Sequence, residues 1–262
     1  MVDVKLHADR FLRKVSPSYR VKRKHQAEIA HWKDELLRLS QWFRDSSVDW
    51  WGIKPPNEQQ KLKNSDLWEV NAVMTMHSVR PSYHEELRLA KDEFVGKRVL
   101  EIGSGPLAPL LQFENCERHC IDPLVNMYLE AGWPLFAYDA KFISTGGERL
   151  PYPDEYFDVA ISVNALDHVD DFERVASEMQ RVLKRGGKLY IEVEYHAPTV
   201  AEPIVLDDKR VIDAFASCRM HIAIKRSGKE MFTTLAERYG LLKNQFERFD
   251  KEVFVTFHGV KQ

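Results

Sequence analysis

The hydrophobic pattern of the chain changes character near Glu85. Upstream, "HQAEIAHWKDELLRLSQWF" places Ile29, Trp32, Leu36, Leu39, Trp42 and Phe43 at steps of three and four residues, along one face of a helix that must pack on something. "DWWGIKPPNEQQ" then gathers Gly52, Pro55 and Pro56 into a turn or linker between helical pieces. Downstream, short apolar runs rich in β-branched and aromatic residues alternate with helix-compatible stretches. These runs are "RVLEI", "RHCID", "PLFAY", "FDVAISV" and "KLYIEVEY", followed at the end by "QFERF" and "EVFVTFHGV". Phe172 to Leu183 is an expected helix, stopped by "KRGG". Such alternation predicts an α/β fold, with a mostly parallel sheet covered by helices on both faces. The last two runs, with Asp250 and Lys251 between them, predict an antiparallel hairpin at one end of that sheet. Residues 197–228 fit no strand in this scheme and are expected as an inserted loop or helical lid. The chain thus divides into an N-terminal helical cap, 1–84, and an α/β domain, 85–262.

The turn after the first strand, "VLEIGSGPLAP" at Val99 to Pro109, is where such a sheet holds a ligand, beyond the carboxyl ends of its strands. Gly103 and Gly105 allow positive φ and let a ligand approach the main chain closely. Pro106 suits the first position of the helix expected to follow. In "CIDP", Asp122 ends the next strand about twenty residues on, where an acid accepts both hydroxyls of a ribose. A nucleoside is implied. Gly103, Gly105 and Ala108 also satisfy the G-x-G-x-x-G/A dinucleotide fingerprint, which keeps an NAD(P)-dependent reductase as an alternative. Glu101 at the entrance of the turn weighs against it. A pyrophosphate prefers helix N-terminal amides without a carboxylate beside them, whereas the ammonium and sulfonium of S-adenosylmethionine are attracted to one.

"VLEIGSGPL", "CIDP", "ERLPYPDEYFDVAISVNALDHVDD" and "RVLKRGGKLYIEVEY" resemble, in order and at ordinary spacing, the successive motifs of class I S-adenosylmethionine-dependent methyltransferases, over roughly residues 84–195. The resemblance implies a Rossmann-like seven-stranded sheet whose last strand is antiparallel, S-adenosylmethionine as cofactor and S-adenosylhomocysteine as product. It implies that Glu101, Gly103 and Gly105, with Ser104 between the glycines, line the methionine part. Asp122, followed by Pro123, would bind the ribose, and Asn164 and Ala165 would flank the sulfonium. Two positions depart from the family pattern. Leu107 stands where a third glycine is frequent. Gly146 and Gly147 stand where many relatives carry an acid for the adenine amino group, which leaves Gly147 and Glu148 as the candidates for that contact. With its aromatic-rich front piece, including Trp42, Trp50, Trp51 and Trp68, and its "EYHAPTVAEP" loop, the whole resembles the small-molecule and sugar methyltransferases of bacterial surface-polysaccharide pathways. That resemblance implies an oxygen of a small, sugar-containing acceptor.

Methyl transfer from a sulfonium is an in-line displacement, so acceleration comes from positioning the acceptor and excluding water. An alcohol acceptor must also lose its proton, a task suited to histidine near neutral pH. His168 in "NALDHVDD" and His196 in "EVEYHAP" follow the fourth and fifth strands, where this fold places the acceptor. His196 is the expected base; His168 is the second candidate, set against a capping or packing role, and Tyr195 is a positioning group. Asp167, Glu192, Glu194 and His196 are potential Mg²⁺ ligands. Alternation along "IEVEY" instead puts both glutamates on one face, suited to receive a lysine or arginine, and no metal is expected. No G-x-S-x-G elbow occurs and no cysteine neighbours a histidine, so nucleophilic catalysis has no support. Arg80 in "VRPSYHEEL" is placed to cross the cofactor mouth and pair the methionine carboxylate.

Composition narrows the partners. A formal charge of -2 and a pI near 6.6 give no global field for nucleic acid or anionic lipid. The basic residues Arg10, Arg13, Lys14, Arg20, Lys22, Arg23 and Lys24 are a local exception, which keeps RNA methylation as an alternative although no RNA-binding module accompanies them. No stretch reaches the roughly 18 apolar residues of a membrane span, and "MVDVKLHADR" has no apolar h-region, so a cytoplasmic protein without a membrane partner is expected. Cys116, Cys120 and Cys218 are too few for a disulfide framework and lack the ligand pairs of a zinc site. Homodimers are common among such enzymes, and nothing in the chain demands one.

Overall fold

The computed structural model describes residues 17–45, 68–79, 83–199, 201–230 and 251–262. Among them, one sheet runs in the order β3-β2-β1-β4-β5-β7-β6. Its strands are β1 (Arg98–Ile102), β2 (Glu117–Ile121), β3 (Lys141–Ile143), β4 (Phe157–Val163), β5 (Leu183–Tyr195), β6 (Cys218–Ser227) and β7 (Val253–Lys261). Strands β1 to β5 pair in parallel, and β7 inserts antiparallel between β5 and β6. This is the seven-stranded, Rossmann-like arrangement expected. Strand order reverses between β1 and β4, which puts the ligand crevice at the carboxyl ends of those two strands.

Both faces of the sheet are covered. The helices are α1 (Pro17–Arg44), α2 (Trp68–Val79), α3 (Tyr83–Glu86), α4 (Val125–Glu130), α5 (Phe172–Val182) and α6 (Asp208–Ala214). The apolar stripe of α1 does what its spacing predicts: Ile29, Leu39, Trp42 and Phe43 are buried in one cluster with Val99, Val159 and Ile161 of the sheet. Trp32 meets Tyr128 and Trp133 edge-on, with ring centroids 6.1 and 6.0 Å apart. Trp133 Nε1 donates to the Trp32 carbonyl at 3.2 Å. The described part of the expected 1–84 cap therefore shares a single core with one sheet face. On the opposite face, Phe172, Val175 and Met179 of α5 and Val211 of α6 pack with Leu100, Ile191 and Val255. Asp171 caps α5, its side chain accepting from the Arg174 amide.

Several elements fall elsewhere than the pattern predicts. "PLFAY" forms a 3₁₀ turn at Leu135–Ala137 after Pro134, and the third strand is Lys141–Ile143. An edge strand of that length carries too few residues for a periodic signal. The expected helix at Pro106 is also absent: a turn there leads into a 3₁₀ helix, Pro109–Gln112, with Ala108 left-handed at φ 44°. Pro109 is the cause, because it disfavours right-handed helix in the preceding residue and has no N–H to donate. Residues 197–228, expected to hold no strand, contain α6 and β6. Strand β6 is an edge strand, half exposed and rich in polar side chains, so its apolar signature is weak. The terminal antiparallel pair is accordingly β6 with β7, joined through residues 228–252. "QFERF" lies outside the described residues. "KRGG" belongs to the irregular entry of β5, where the register shifts after Phe157 and Gly186 takes φ 72°. Among the described residues, no helix is long and apolar enough to cross a membrane.

Candidate functional site

The crevice at the β1/β4 switch point opens into a cavity of about 700 Å³. Its floor is the turn after β1, the turn after β4 and the end of β2, and α1 lies across it with Lys24, His25, Glu28, His31 and Trp32. Gly103 is indispensable to this junction: at φ +74°, a Cβ there would stand 2.2 Å from the Cβ of Ala165. Gly105, at φ +55°, faces the Trp32 ring at 3.3 Å from a built Cβ. Asn164 is itself left-handed at φ 48°, and its amide donates to the Glu192 carbonyl at 3.0 Å. Asp122 is clamped by two backbone amides, from Gly105 at 3.0 Å and from Leu124 at 2.9 Å. Burial still outweighs those bonds and pushes its pKa up to about 6.

The structure brings Gly103, Gly105, Asp122, Pro123, Gly147, Glu148, Asn164 and Ala165 to the lining of one cavity. Glu148 Oε1 also accepts from the amides of Asp170 and Asp171, at 3.0 and 3.4 Å, which ties the turn at Gly146 and Gly147 to the start of α5. Glu101 and Ser104 lie buried behind the turn instead of on the wall. Arg80 lies outside the described residues, as do Trp50 and Trp51 and the side chains of Arg10, Arg13, Lys14 and Arg20. Leu107, in place of a third glycine, is buried in the core, and its carbonyl accepts from His77 Nε2 at 2.7 Å. Because Ala108 and Pro109 break the helix, the row of N-terminal amides on which a pyrophosphate would rest is missing at this turn.

Glu101 accepts a hydrogen bond from the Tyr83 hydroxyl at 2.8 Å, and burial pushes its pKa up to about 7. A raised carboxyl pKa means that the folded state prefers the protonated form. That contribution is complete below the ordinary value of 4.5 and is lost as pH climbs through about 7. Glu101→Gln, always neutral, is therefore expected to gain stability relative to the wild type as pH rises from about 5 to about 8, by roughly 3 kcal/mol at most. Urea unfolding at both ends of that range measures it; a difference independent of pH contradicts burial as the cause.

A polar cluster adjoins this lining. His168 Nδ1 lies 3.3 Å from Glu28 Oε1, and its Nε2 lies 3.8 Å from Glu202 Oε1 and 4.0 Å from Asp167 Oδ1. Burial works to lower the His168 pKa, but the Glu28 hydrogen bond and the charges of Asp167, Glu28 and Glu202 raise it overall. His196 is engaged at both nitrogens: Nε2 lies 2.9 Å from Asp167 Oδ2 and Nδ1 lies 2.7 Å from the Ala197 carbonyl. Both partners are acceptors, so this geometry favours the doubly protonated imidazolium paired with Asp167. Consistently, its pKa is raised: burial opposes the charge, and the Ala197 and Asp167 bonds outweigh it. His196 offers no lone pair and does not line the cavity. Tyr195 is turned towards α6 and β6, its hydroxyl donating to Asp208 at 2.8 Å and Lys225 standing 5.6 Å from its ring. Glu192 is buried, accepts from Thr256 at 2.8 Å and lies 3.9 Å from Arg226, the arginine that strand alternation anticipated. Sequence reading missed Glu28, His25, His31 and Glu202. A signal existed in α1, where Lys24, Glu28 and His31 recur at helical steps beside the apolar stripe.

Residues 100–191 match the family model described as a methyltransferase domain. Over 125 residues the chain is 35% identical to a ubiquinone/menaquinone biosynthesis C-methyltransferase of Vibrio parahaemolyticus, covering 47% of this chain and 43% of that protein. Over 116 residues it is 31% identical to an uncharacterised methyltransferase of Bacillus subtilis, covering 42% and 44%. The match thus spans less than half the length of these curated relatives. The fold likeness reaches further. A geranyl diphosphate C-methyltransferase from Streptomyces coelicolor, solved with Mg²⁺, geranyl diphosphate and S-adenosylhomocysteine, superposes with a TM-score of 0.56 at 14% identity, over 91% of this chain and 98% of that one. Over residues 100–191 the chain thus matches a methyltransferase domain, and the sheet that carries those residues has the fold of an S-adenosylmethionine-dependent methyltransferase, not the arrangement that glycine spacing alone allowed for a nicotinamide-dependent reductase.

Proposed function

We propose that this protein transfers the methyl group of S-adenosylmethionine to an oxygen of a small hydroxylated acceptor, sugar-containing metabolites being the class that its polar cluster suits. The observation that carries the reading is the position of His168, which lines the same cavity as the glycine turn and is surrounded by three carboxylates. In this reading Gly103 and Gly105 admit the methionine part, with the Glu101 carboxyl behind them. Asp122 receives the ribose hydroxyls, Gly147 and Glu148 meet the adenine edge, and Asn164 and Ala165 flank the sulfonium. The acceptor oxygen attacks the methyl carbon, the carbon–sulfur pair returns to sulfur, and S-adenosylhomocysteine leaves. The proton shed by the oxygen is drawn towards the His168 cluster, where three carboxylates stabilise positive charge. Helix α1, held down by Trp32, keeps water from the reacting atoms. His196 and Tyr195 act at a remove, His196 by fixing Asp167.

Incubation with methyl-labelled cofactor and cell metabolites tests the reading: the label is expected on an oxygen of a small molecule. Label on carbon would move the assignment to a C-methyltransferase, the reading favoured by the names of the similar proteins, and label in RNA would overturn a small-molecule acceptor. The ribose contact has its own signature. Hydroxyls donating to Asp122 require its ionised form, so affinity for S-adenosylhomocysteine should fall by up to about tenfold per unit below pH ~6 and level off above it. Calorimetric titrations across that range check the trend, and a flat profile removes Asp122 as the ribose acceptor.

A further inference from the structure

Asp167, which its residue type groups with Glu192, Glu194 and His196 as a potential Mg²⁺ ligand, keeps different company in the structure. Its Oδ2 is occupied by His196, but its Oδ1, in a residue only 1% exposed, has no hydrogen-bond partner. A buried carboxylate oxygen left bare is costly, so a resident positive charge is the natural complement. The bare oxygen faces His168 Nε2 at 4.0 Å, which in turn lies 3.8 Å from Glu202 Oε1. One donor atom from each of Asp167, His168 and Glu202 lies within 4.8 Å of the other two. Ligands at 2.0–2.6 Å from an ion put donor pairs roughly 3 to 5 Å apart, so a cation fits among them with small side-chain adjustment.

We propose that Asp167 Oδ1, His168 Nε2 and Glu202 Oε1 form a binding site for a divalent cation at the acceptor end of the cavity. Each ligand is oriented from outside the set. Glu28 engages His168 Nδ1, which leaves Nε2 as the free donor, the arrangement by which a carboxylate fixes the tautomer of a metal-bound imidazole. His196 holds Asp167 through its other oxygen. Thr199 donates to Glu202 Oε2 at 2.8 Å, which turns Oε1 towards His168. The backbone joins the two ends, since the Ile204 amide donates to the Asp167 carbonyl at 3.2 Å and holds the loop that bears Glu202. Two oxygens and one imidazole suit Mg²⁺ or Mn²⁺ better than a thiolate-seeking metal. Three protein ligands leave positions of an octahedral ion open to oxygens of the acceptor. A seated cation takes up the Nε2 lone pair, so the imidazole then acts on the acceptor through the metal. That role rests on the methyl-transfer reading; the site itself does not.

Mn²⁺ titrated into the full chain without cofactor or acceptor, and followed by loss of the free-ion electron paramagnetic resonance signal, tests the site. Saturable binding of one equivalent is expected, with Mg²⁺ competing for it. Glu202→Gln, a partly exposed position, should weaken binding at least tenfold, as should His168→Ala. Asp213→Asn, on the exposed side of α6, should leave it unchanged. Asp167→Asn should abolish binding, and if that variant does not fold, Glu202→Gln decides. Wild-type protein that leaves the Mn²⁺ signal free, or Glu202→Gln that binds as the wild type does, overturns the proposal. Binding of S-adenosylhomocysteine by the same samples separates that failure from failure of the methyltransferase reading.

Discussion

Gly103→Ala is expected to weaken binding of S-adenosylhomocysteine by about 30- to 1,000-fold while the chain still folds. Two costs fall on the same atom. At φ +74° an L side chain is disfavoured by roughly 1–2 kcal/mol. The new methyl would also stand 2.2 Å from the Ala165 Cβ, an overlap that neither neighbour can relieve by rotating a side chain, since both atoms are fixed to backbone. Overpacking of this kind costs roughly 1–3 kcal/mol, relieved by moving the turn after β1 away from the turn after β4. Those two turns are the floor on which the cofactor is proposed to lie, so the strain appears mainly as lost affinity. Gly186→Ala is the control. It imposes φ 72° strain with nothing within 4 Å of the new methyl, far from the cavity. It should lower the melting temperature and leave affinity intact. Gly103→Ala combined with Ala165→Gly should recover part of the binding. Wild-type affinity in Gly103→Ala would mean that the glycine turn does not floor the cofactor site.

The central strands were legible because burial on both faces demands continuous apolar runs, and "RVLEI" and "FDVAISV" are such runs. The edges were not. Strands β3 and β6 each have one neighbour, need less apolar surface, and carry polar residues that look like loop; the lid expected at 197–228 hid β6 for this reason. Pro106 alone suits a helix start, but Pro109 three residues on keeps Ala108 out of the right-handed helical region.

For the site, backbone-determined residues were legible and side-chain networks were not. Gly103, Gly105 and Asp122 reach the cavity through the way a main chain turns at a strand end, which is a local property. Which of two histidines reaches the cavity depends on tertiary partners. His196 looked free in "EVEYHAP", yet Asp167 and the Ala197 carbonyl take both of its nitrogens. Glu28 lies 140 residues from His168, and nothing in either neighbourhood announces that they meet.

That meeting sets the second large effect. His168→Ala is expected to lower the rate of methyl transfer by about 10²- to 10⁴-fold, the usual worth of a positioned proton-transfer group, with affinity for S-adenosylhomocysteine changed by less than about twofold because none of the proposed cofactor contacts is made by its side chain. His196→Ala should act differently. It removes the hydrogen bond that holds Asp167 Oδ2, so it disturbs the cluster through a neighbour. A smaller loss of about tenfold is expected, partly restored by His196→Gln, whose amide can still donate to the carboxylate. Glu28→Gln should fall between the two, because it weakens the partner of His168 Nδ1 while leaving the ring in place. The ranking is the test. Full turnover in His168→Ala beside a dead His196→Ala would return the chemistry to the fifth strand and would require His196 to break both of its hydrogen bonds when the acceptor binds.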